Sequence, residues 1–393
     1  MKVCYVTDYH VKISGGPQSL LNLMDEIQKY GVSPYLVCHA ACDGLTEAEK
    51  RGIPTAVIPG KKSVIAREDV SFVTYLKYPV KQVYNRFYLK DAVKYLKDNQ
   101  IELVHLNSVL ACTMWAAAAQ KCGIPYVWHI REFVDQDHNS VIIGKRYTYG
   151  LLRKADRVIA ISDEVKRVWE ERLGRECVRI YNGLNYEENY DSIDGKFSRK
   201  TLNCIIVGRV LEKKGQMDAV RAVEELIRRG HLNVRLTIVG YRGVRAYEKD
   251  LKQYVQEHGL EDYVRILDFT SDLKEIRRDQ DVGLTCSYAE AFGRVTIEYM
   301  LGGLLAIGSR SGGTPELIRE GETGFLYEPG DHMGLAAVLE RVMQNREKAK
   351  EIAEKGHAEA AEKFLIENTA QNVYSLYQDV LKDRGRSAPE KMC

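Results

Sequence analysis

At 393 residues, 45% hydrophobic and 28% charged, the chain is longer than one core usually organises, and two domains of roughly 150–200 residues each are expected. That composition excludes disorder, collagen and coiled coil. Lys plus Arg number 57 against 55 for Asp plus Glu, a formal +2, so no nucleic-acid partner is expected and any electrostatic partner has to meet a local patch.

Short runs rich in Val and Ile alternate with amphipathic stretches, which predicts parallel strands joined by helices. The first series has strands over Val3–Thr7, Tyr35–Cys38, Leu103–Leu106, Tyr126–Ile130 and Arg157–Ile161. Its helices are expected over Pro17–Tyr30, Gln82–Asp98, Ser108–Cys122 and Ser162–Leu173, with Ser108 and Ser162 as N-caps. A polar stretch, NYEENYDSIDGKFSRK, then reads as a linker. A second series follows, with strands over Asn203–Val207, Val234–Val239, Val264–Leu267, Val282–Cys286 and Leu304–Ile307. Its helices are placed near Gln216–Arg229, Tyr247–His258, Arg294–Leu301 and Pro315–Glu320, followed by a long helical segment Met333–Phe364. The expected fold class is α/β, two tandem Rossmann-like domains, with residues 1–185 and 201–365 as the domains and 186–200 between them. Residues 366–393 are expected as a helix crossing back to the first domain.

The nine cysteines are odd in number and nowhere spaced as a CxxC pair, so they read as reduced thiols of a cytosolic protein. The opening MKVCYVTDYH lacks the apolar stretch of a secretory signal, and no run of about 18 apolar residues follows. A cytoplasmic location is expected, with peripheral contact at the inner face of the cell membrane left open.

Four constellations carry chemistry. SYAEAFGRVTIEYM puts Glu290 and Glu298 eight residues apart across a turn that opens a helix. Helical rise separates such carboxylates by about 10–12 Å, too far for the roughly 5–9.5 Å of a hydrolytic pair and suited to an elongated ligand. The amides of Gly293, Arg294 and Val295 sit where a helix N-terminus accepts phosphate. IIVGRVLEKKGQMDAV places Gly208, Arg209 and Lys214 after a strand, where open α/β sheets bind ligands, and two cations there suit a diphosphate. YHVKISGGPQSLLNLM carries Gly15 and Gly16 before Pro17 as a candidate first helical residue, without the GxGxxG fingerprint of a dehydrogenase. His129 ends the strand YVWHI, followed by Arg131 and Glu132. In SGGTPELIREGETGFLY, Thr314 reads as an N-cap and Pro315 as first helical residue. The Asp135–Asp137 and Asp279–Asp281 pairs are weak metal candidates, zinc spacing is absent, and no metal site is assigned.

Between Lys61 and Lys97, nine basic residues face three acidic ones and are interleaved with Phe72, Tyr75, Tyr78, Tyr84, Phe87 and Tyr88. The segment suits an anionic membrane surface or an anionic lipid-linked acceptor, although a nucleic-acid surface would look similar, or else an amphipathic helix that buries its aromatics.

EAFGRVTIE, with GRVLEKKG upstream and SGGTPELI downstream, resembles the family 4 retaining glycosyltransferases of the GT-B fold. The resemblance is strongest from Asn203 to Leu326, and ISGGPQSL, WHIRE and IYNGLN fit it too. It implies two Rossmann-like domains facing a central cleft and a UDP- or GDP-sugar as co-substrate. Arg209 and Lys214 would bind the diphosphate, Glu290 the sugar hydroxyls and Glu298 the ribose diol. Phe292, Gly293, Arg294 and Val295 would present backbone, Ile266–Thr270 would meet the base, and His129 and the Gly16 amide would close the site. Transfer would retain anomeric configuration, without a metal or another cofactor, to a glycan or lipid-linked acceptor in polysaccharide synthesis. Another GT-B activity, such as epimerisation or synthesis of a small soluble glycoside, is the enzymatic alternative, and a non-catalytic two-lobed scaffold is the alternative from another class.

Overall fold

The computed structural model describes residues 1–7, 15–111, 113–240, 243–270 and 272–385. Ile13 and Ser14 of the glycine loop, and Cys112 and Cys393, lie outside them. The chain divides into two units, Met1–Gly183 with Ile366–Cys393, and Leu184–Leu365.

The first unit carries strands β1 (Lys2–Thr7), β2 (Ser33–Cys38), β3 (Thr55–Val57), β4 (Val64–Ala66), β5 (Leu103–Asn107), β6 (Tyr126–Ile130), β7 (Ser140–Ile142), β8 (Arg157–Ala160) and β9 (Val178–Arg179). Seven of them form a parallel sheet in the order β3-β2-β1-β5-β6-β8-β9, while β4 and β7 pair antiparallel beside it. Strands β5 and β6 are buried at every residue, as a sheet covered on both faces requires. The helices are α1 (Gly15–Ile27), α2 (Asp43–Lys50), α3 (Phe72–Asp98), α4 (Thr113–Cys122), α5 (Lys145–Arg153) and α6 (Asp163–Leu173). The C-terminal helix Ile366–Asp383 belongs to this unit, burying Ala370, Val373, Tyr374 and Tyr377 in one cluster with Val3, Leu20 and Met24.

The second unit holds α7 (Tyr186–Asn189), β10 (Leu202–Val207), α8 (Gln216–Arg228), β11 (Val234–Gly240), α9 (Arg245–Glu257), β12 (Val264–Asp268) and α10 (Leu273–Arg278). It continues through β13 (Val282–Thr285), α11 (Arg294–Leu301), β14 (Leu305–Ser309), α12 (Thr314–Leu317), β15 (Gly324–Tyr327), α13 (His332–Gln344) and α14 (Arg346–Lys363). The parallel sheet runs β12-β11-β10-β13-β14-β15. In both sheets the order reverses beside the first strand, between β1 and β5 and between β10 and β13, which is where doubly wound sheets open a crevice at their carboxyl ends.

Several boundaries are corrected. Helix α3 starts ten residues before Gln82, because Ser71 and Thr74 form a capping box and Pro79 withholds one amide without ending the helix. Ser108 is no N-cap: it has φ 80° and α4 begins at Thr113. Ser162 does cap α6, accepting from Val165 N at 3.1 Å. Thr314 lies inside α12, after Gly313. The segment Met333–Phe364 is two helices, broken at Asn345, whose side chain accepts from Lys348 N and starts α14. The stretch read as a linker is a strap packed on the second unit: Phe197 N donates to Asp281 Oδ1 at 2.7 Å, and Lys196 Nζ donates to the carbonyls of Arg277 and Arg278. Its polar residues are partners for ends of that unit's own elements, a role composition alone does not reveal.

Candidate functional site

The carboxyl ends of β10 and β13, at the second unit's strand-order reversal, carry most of the expected site residues. Beyond β10, Gly208 has φ 152°, and its carbonyl lies where a Cβ on Gly240 would stand at 1.6 Å, so only glycine at the end of β11 admits this turn. A 3₁₀ turn, Glu212–Lys214, leads into α8 through Gly215, whose φ of 67° and missing Cβ let it lie against the Cys286 carbonyl. Tyr288 N donates to the Lys213 carbonyl at 2.9 Å, tying that turn to the segment after β13. Lys214 Nζ thereby reaches Glu290 Oε2 at 2.7 Å, and the Ser287 hydroxyl donates to the same oxygen at 2.9 Å. Burial pushes the Glu290 carboxyl up, but Lys214, its hydrogen bond and Ser287 outweigh that, and the net shift is downward. The pair is therefore intact at neutral pH and is lost as pH falls through that depressed value. Arg209 is exposed, and among the described residues its guanidinium has no hydrogen-bond or ion-pair partner.

Gly293, at φ 100°, caps the start of α11. The turn before it is held from below: Gly313 N donates to the Glu290 carbonyl at 2.7 Å, and a Cβ on Gly312 would stand 1.9 Å from that same oxygen. Ser309 and Ser311 both donate to the Ser287 carbonyl at 2.5 Å. Glu298 accepts from Arg294 Nε at 3.0 Å and lies 3.6 Å from Arg277 Nη1, so it sits between two guanidinium groups. Phe292 is a core side chain, edge-on to Phe364 with ring centres 6.4 Å apart, which leaves its backbone alone for ligand contact. Tyr299 went unnoticed in the sequence; its hydroxyl accepts from Val207 N at 2.7 Å and ties α11 to the end of β10, in space opened by Gly283.

In the first unit, His129 is the last residue but one of β6 and is fully buried, with Nδ1 3.2 Å from His105 Nε2. Arg131 is an internal tie, donating from Nε to Asn107 at 2.6 Å and from Nη1 to Asn182. Glu132 accepts from the Ser108 hydroxyl and the Val109 amide, and burial pushes its carboxyl up to about 7. Gly16 lies inside the first turn of α1 rather than in a loop ahead of Pro17; first-turn amides lack intrahelical acceptors, so its amide keeps the availability the loop reading wanted. Asp135 is taken by Arg172 at 2.8 and 2.9 Å, Asp137 accepts from the amides of Phe133 and Val134, and Asp281 accepts from Phe197 and Asn203 amides. Those carboxylates are structural acceptors, and among the described residues no three His, Cys, Asp or Glu side chains cluster as metal ligands.

Gly208, Arg209, Lys214, Glu290, Phe292, Gly293, Arg294, Val295 and Glu298 are thus gathered at one end of one sheet, and His129 and Gly16 stand in the other unit. Two cations, a carboxylate and a helix N-terminus at a strand-order reversal can bind a polyol joined to a phosphate-bearing group.

Two family profiles match the chain: Glycosyltransferase Family 4 over residues 13–188 and Glycosyl transferases group 1 over residues 192–359. The N-acetyl-alpha-D-glucosaminyl L-malate synthase of Bacillus anthracis is 34% identical over 131 residues, covering 33% of this chain and only 34% of that protein. The D-inositol 3-phosphate glycosyltransferase of Acidothermus cellulolyticus is 25% identical, over 74% of this chain and 70% of its own length. Among solved structures, Anabaena HepE in complex with UDP is 22% identical with a TM-score of 0.80, over 96% of this chain and all (100%) of that one. Sucrose-phosphate synthase from Thermosynechococcus elongatus is 18% identical with a TM-score of 0.74, over 97% of this chain and 99% of its own. These likenesses give the fold as GT-B, with two Rossmann-like domains.

Proposed function

Because the chain belongs to the family 4, group 1 glycosyltransferases, we propose that it is a retaining hexosyltransferase, taking its sugar from UDP- or GDP-hexose and passing it to a glycan or lipid-linked acceptor. The carrying observation is the Lys214–Glu290 pair, its lysine on the turn that follows the exposed Arg209, which has no ion-pair partner among the described residues. In this reading Lys214 and Arg209 neutralise the departing diphosphate, Glu290 and the start of α11 hold the sugar, and Glu298 takes the ribose diol. His129 and the Gly16 amide are the first unit's share of donor recognition. The anomeric C–O bond to phosphate breaks, the acceptor oxygen bonds on the same face, and the acceptor's proton leaves on the phosphate oxygen. The two cations and the helix end carry the charge work that a metal would otherwise do, as preorganised electrostatics requires. Complexes of HepE with UDP and with UDP-glucose support a uridine donor.

A panel of UDP, GDP and their hexose conjugates, with and without Mg²⁺, tests this by melting temperature and calorimetry. A metal-independent rise with one nucleotide is expected. No response to any of them would favour the non-catalytic scaffold.

Helix α3 supports an acceptor held at a membrane. Phe72, Leu76, Val80, Val83 and Phe87 recur at steps of four or three and form one stripe that is 60–77% exposed, so the aromatics at 72 and 87 are not core. Lys77 flanks the stripe on one side and Arg86 on the other, and Lys90 Nζ lies 4.8 Å from the centre of the Phe87 ring. Burial, then Lys61, Lys62 and Lys77, push the Lys81 amine down. An anionic surface relieves that crowding, at about 1 kcal/mol per basic residue. Among the described residues no helix is long and apolar enough to cross a membrane, and the contact in this reading is a peripheral one made by α3. Val80→Glu with Val83→Glu is expected to lower affinity for phosphatidylserine-containing vesicles at least tenfold, leaving the melting temperature and nucleotide binding in place, and wild-type affinity should fall with added salt. Unchanged vesicle sedimentation would refute the contact. It would then favour a small soluble acceptor, the second reading, which the names of the malate and inositol phosphate relatives support.

A further inference from the structure

The first unit buries a chain of hydrogen-bonding groups that donor recognition as described leaves unused. Tyr377, on the C-terminal helix, places its hydroxyl 2.5 Å from Nδ1 of His105 in β5. His105 Nε2 in turn lies 3.2 Å from Nδ1 of His129, and the Tyr377 and Tyr5 hydroxyls are 3.2 Å apart. All four side chains are fully buried. The far end of this relay, His129 Nε2, is buried and has no hydrogen-bond partner among the described residues.

A neutral imidazole has one donor and one acceptor nitrogen, and its neighbours decide which is which. Burial, then the Arg131 charge, hold both rings well below the ordinary histidine range, so both are neutral. Arg131 sets the direction. Its guanidinium only donates, it is anchored on Asn107 and Asn182, and its Nη2 lies 3.4 Å from His129 Nδ1. A proton on His129 Nδ1 would face those N–H groups, whereas a lone pair there accepts from Arg131 and from His105 Nε2–H together. His105 Nδ1 is then the acceptor for the Tyr377 hydroxyl, whose one proton goes to this partner at 2.5 Å rather than to the Tyr5 oxygen at 3.2 Å. With every other proton placed, the one left on His129 is at Nε2.

We propose that Tyr377 and His105 are positioning residues for sugar transfer, acting through His129: they hold it as an Nε2–H donor for a substrate oxygen, never as a base. That His129 faces substrate rests on the function proposed above; the relay itself does not. A donor there agrees with chemistry in which the leaving phosphate oxygen takes the acceptor's proton. It also gives the C-terminal helix a part in the site, through a contact between residues 272 positions apart in sequence.

Long-range proton–nitrogen correlation spectra of the full chain, labelled with ¹⁵N-histidine and free of ligand, read the tautomer of each ring. His129 and His105 are assigned by signals lost in His129→Gln and His105→Gln. Both rings are expected to carry the proton on Nε2. In Tyr377→Phe, His105 Nδ1 loses its donor and both rings become tautomer mixtures. With the sugar nucleotide that the panel identifies, turnover in that variant falls about tenfold, the worth of one hydrogen bond, with KM for the donor little changed. His105→Gln keeps an amide N–H toward His129 and recovers part of the loss seen in His105→Leu. A wild-type proton on His129 Nδ1, or spectra unchanged in Tyr377→Phe, overturns the relay. Because the spectra need no ligand, failure of the nucleotide panel would sink the donor reading and leave the relay standing, and the reverse.

Discussion

Lys214→Ala is expected to lower kcat/KM for the donor by about 10²–10³-fold, the scale on which single preorganised charge-stabilising groups act. The ammonium is not a loose surface charge: the turn Glu212–Lys214 and the glycine after it aim it at Glu290 Oε2, 2.7 Å away. Its removal costs the diphosphate a cation and leaves Glu290 with Ser287 as its remaining side-chain donor. Burial then dominates the Glu290 carboxyl, so its pKa rises instead of falling. Two readouts separate the effects. Calorimetry with the nucleotide reports the lost phosphate contact, and the pH profile of turnover shows an acid limb displaced toward neutrality. A variant that binds nucleotide as the wild type does and keeps its profile would remove Lys214 from the site.

Gly215→Ala and Gly312→Ala should each destabilise the second unit by roughly 2–4 kcal/mol, the sum of left-handed backbone strain and overpacking. At position 215 the new methyl meets the Cys286 carbonyl at 2.2 Å, and at 312 the Glu290 carbonyl at 1.9 Å. Both contacts are with backbone, which cannot swing aside as a side-chain end does. For a unit of this size the melting temperature drops by about 5–15 °C. Gly259→Ala is the control: its φ is also positive, at 64°, but nothing lies within 4 Å of the added methyl. It should cost only the strain, about 1 kcal/mol. If all three variants melt alike, the close approach of the EKKG turn and the SGG loop to the segment after β13 is not what holds the site together. Nucleotide affinity should track stability at positions 215 and 312 alone, since those two glycines set where Lys214 and Glu290 stand.

The βα alternation was legible because buried parallel strands are nearly continuous apolar runs, and Tyr126–Ile130 and Arg294–Leu301 were placed to the residue. The short strands Thr55–Val57, Val64–Ala66, Ser140–Ile142, Val178–Arg179 and Gly324–Tyr327 were not, since so short a run carries little periodicity. Helix α3 was cut short for a related reason: its first half turns apolar residues outward, and a pattern with no buried face does not read as a helix. Thr314 and Ser108 have capping side chains but not capping positions, which depend on the backbone around them.

What the sequence determined by itself is local: the element order, the two series of strands and helices, and the placing of Gly208, Arg209, Lys214, Glu290, Gly293 and Glu298 at strand ends and turns, all read from patterns a few residues wide. Pairing belongs to the tertiary structure alone. Lys214 meets Glu290 across 76 positions because β10 lies beside β13, and Tyr377 meets His105 across 272 because the last helix packs in the first unit. Strand order and helix docking are settled by which buried faces cover one another over the whole molecule, and no window of sequence contains that sum.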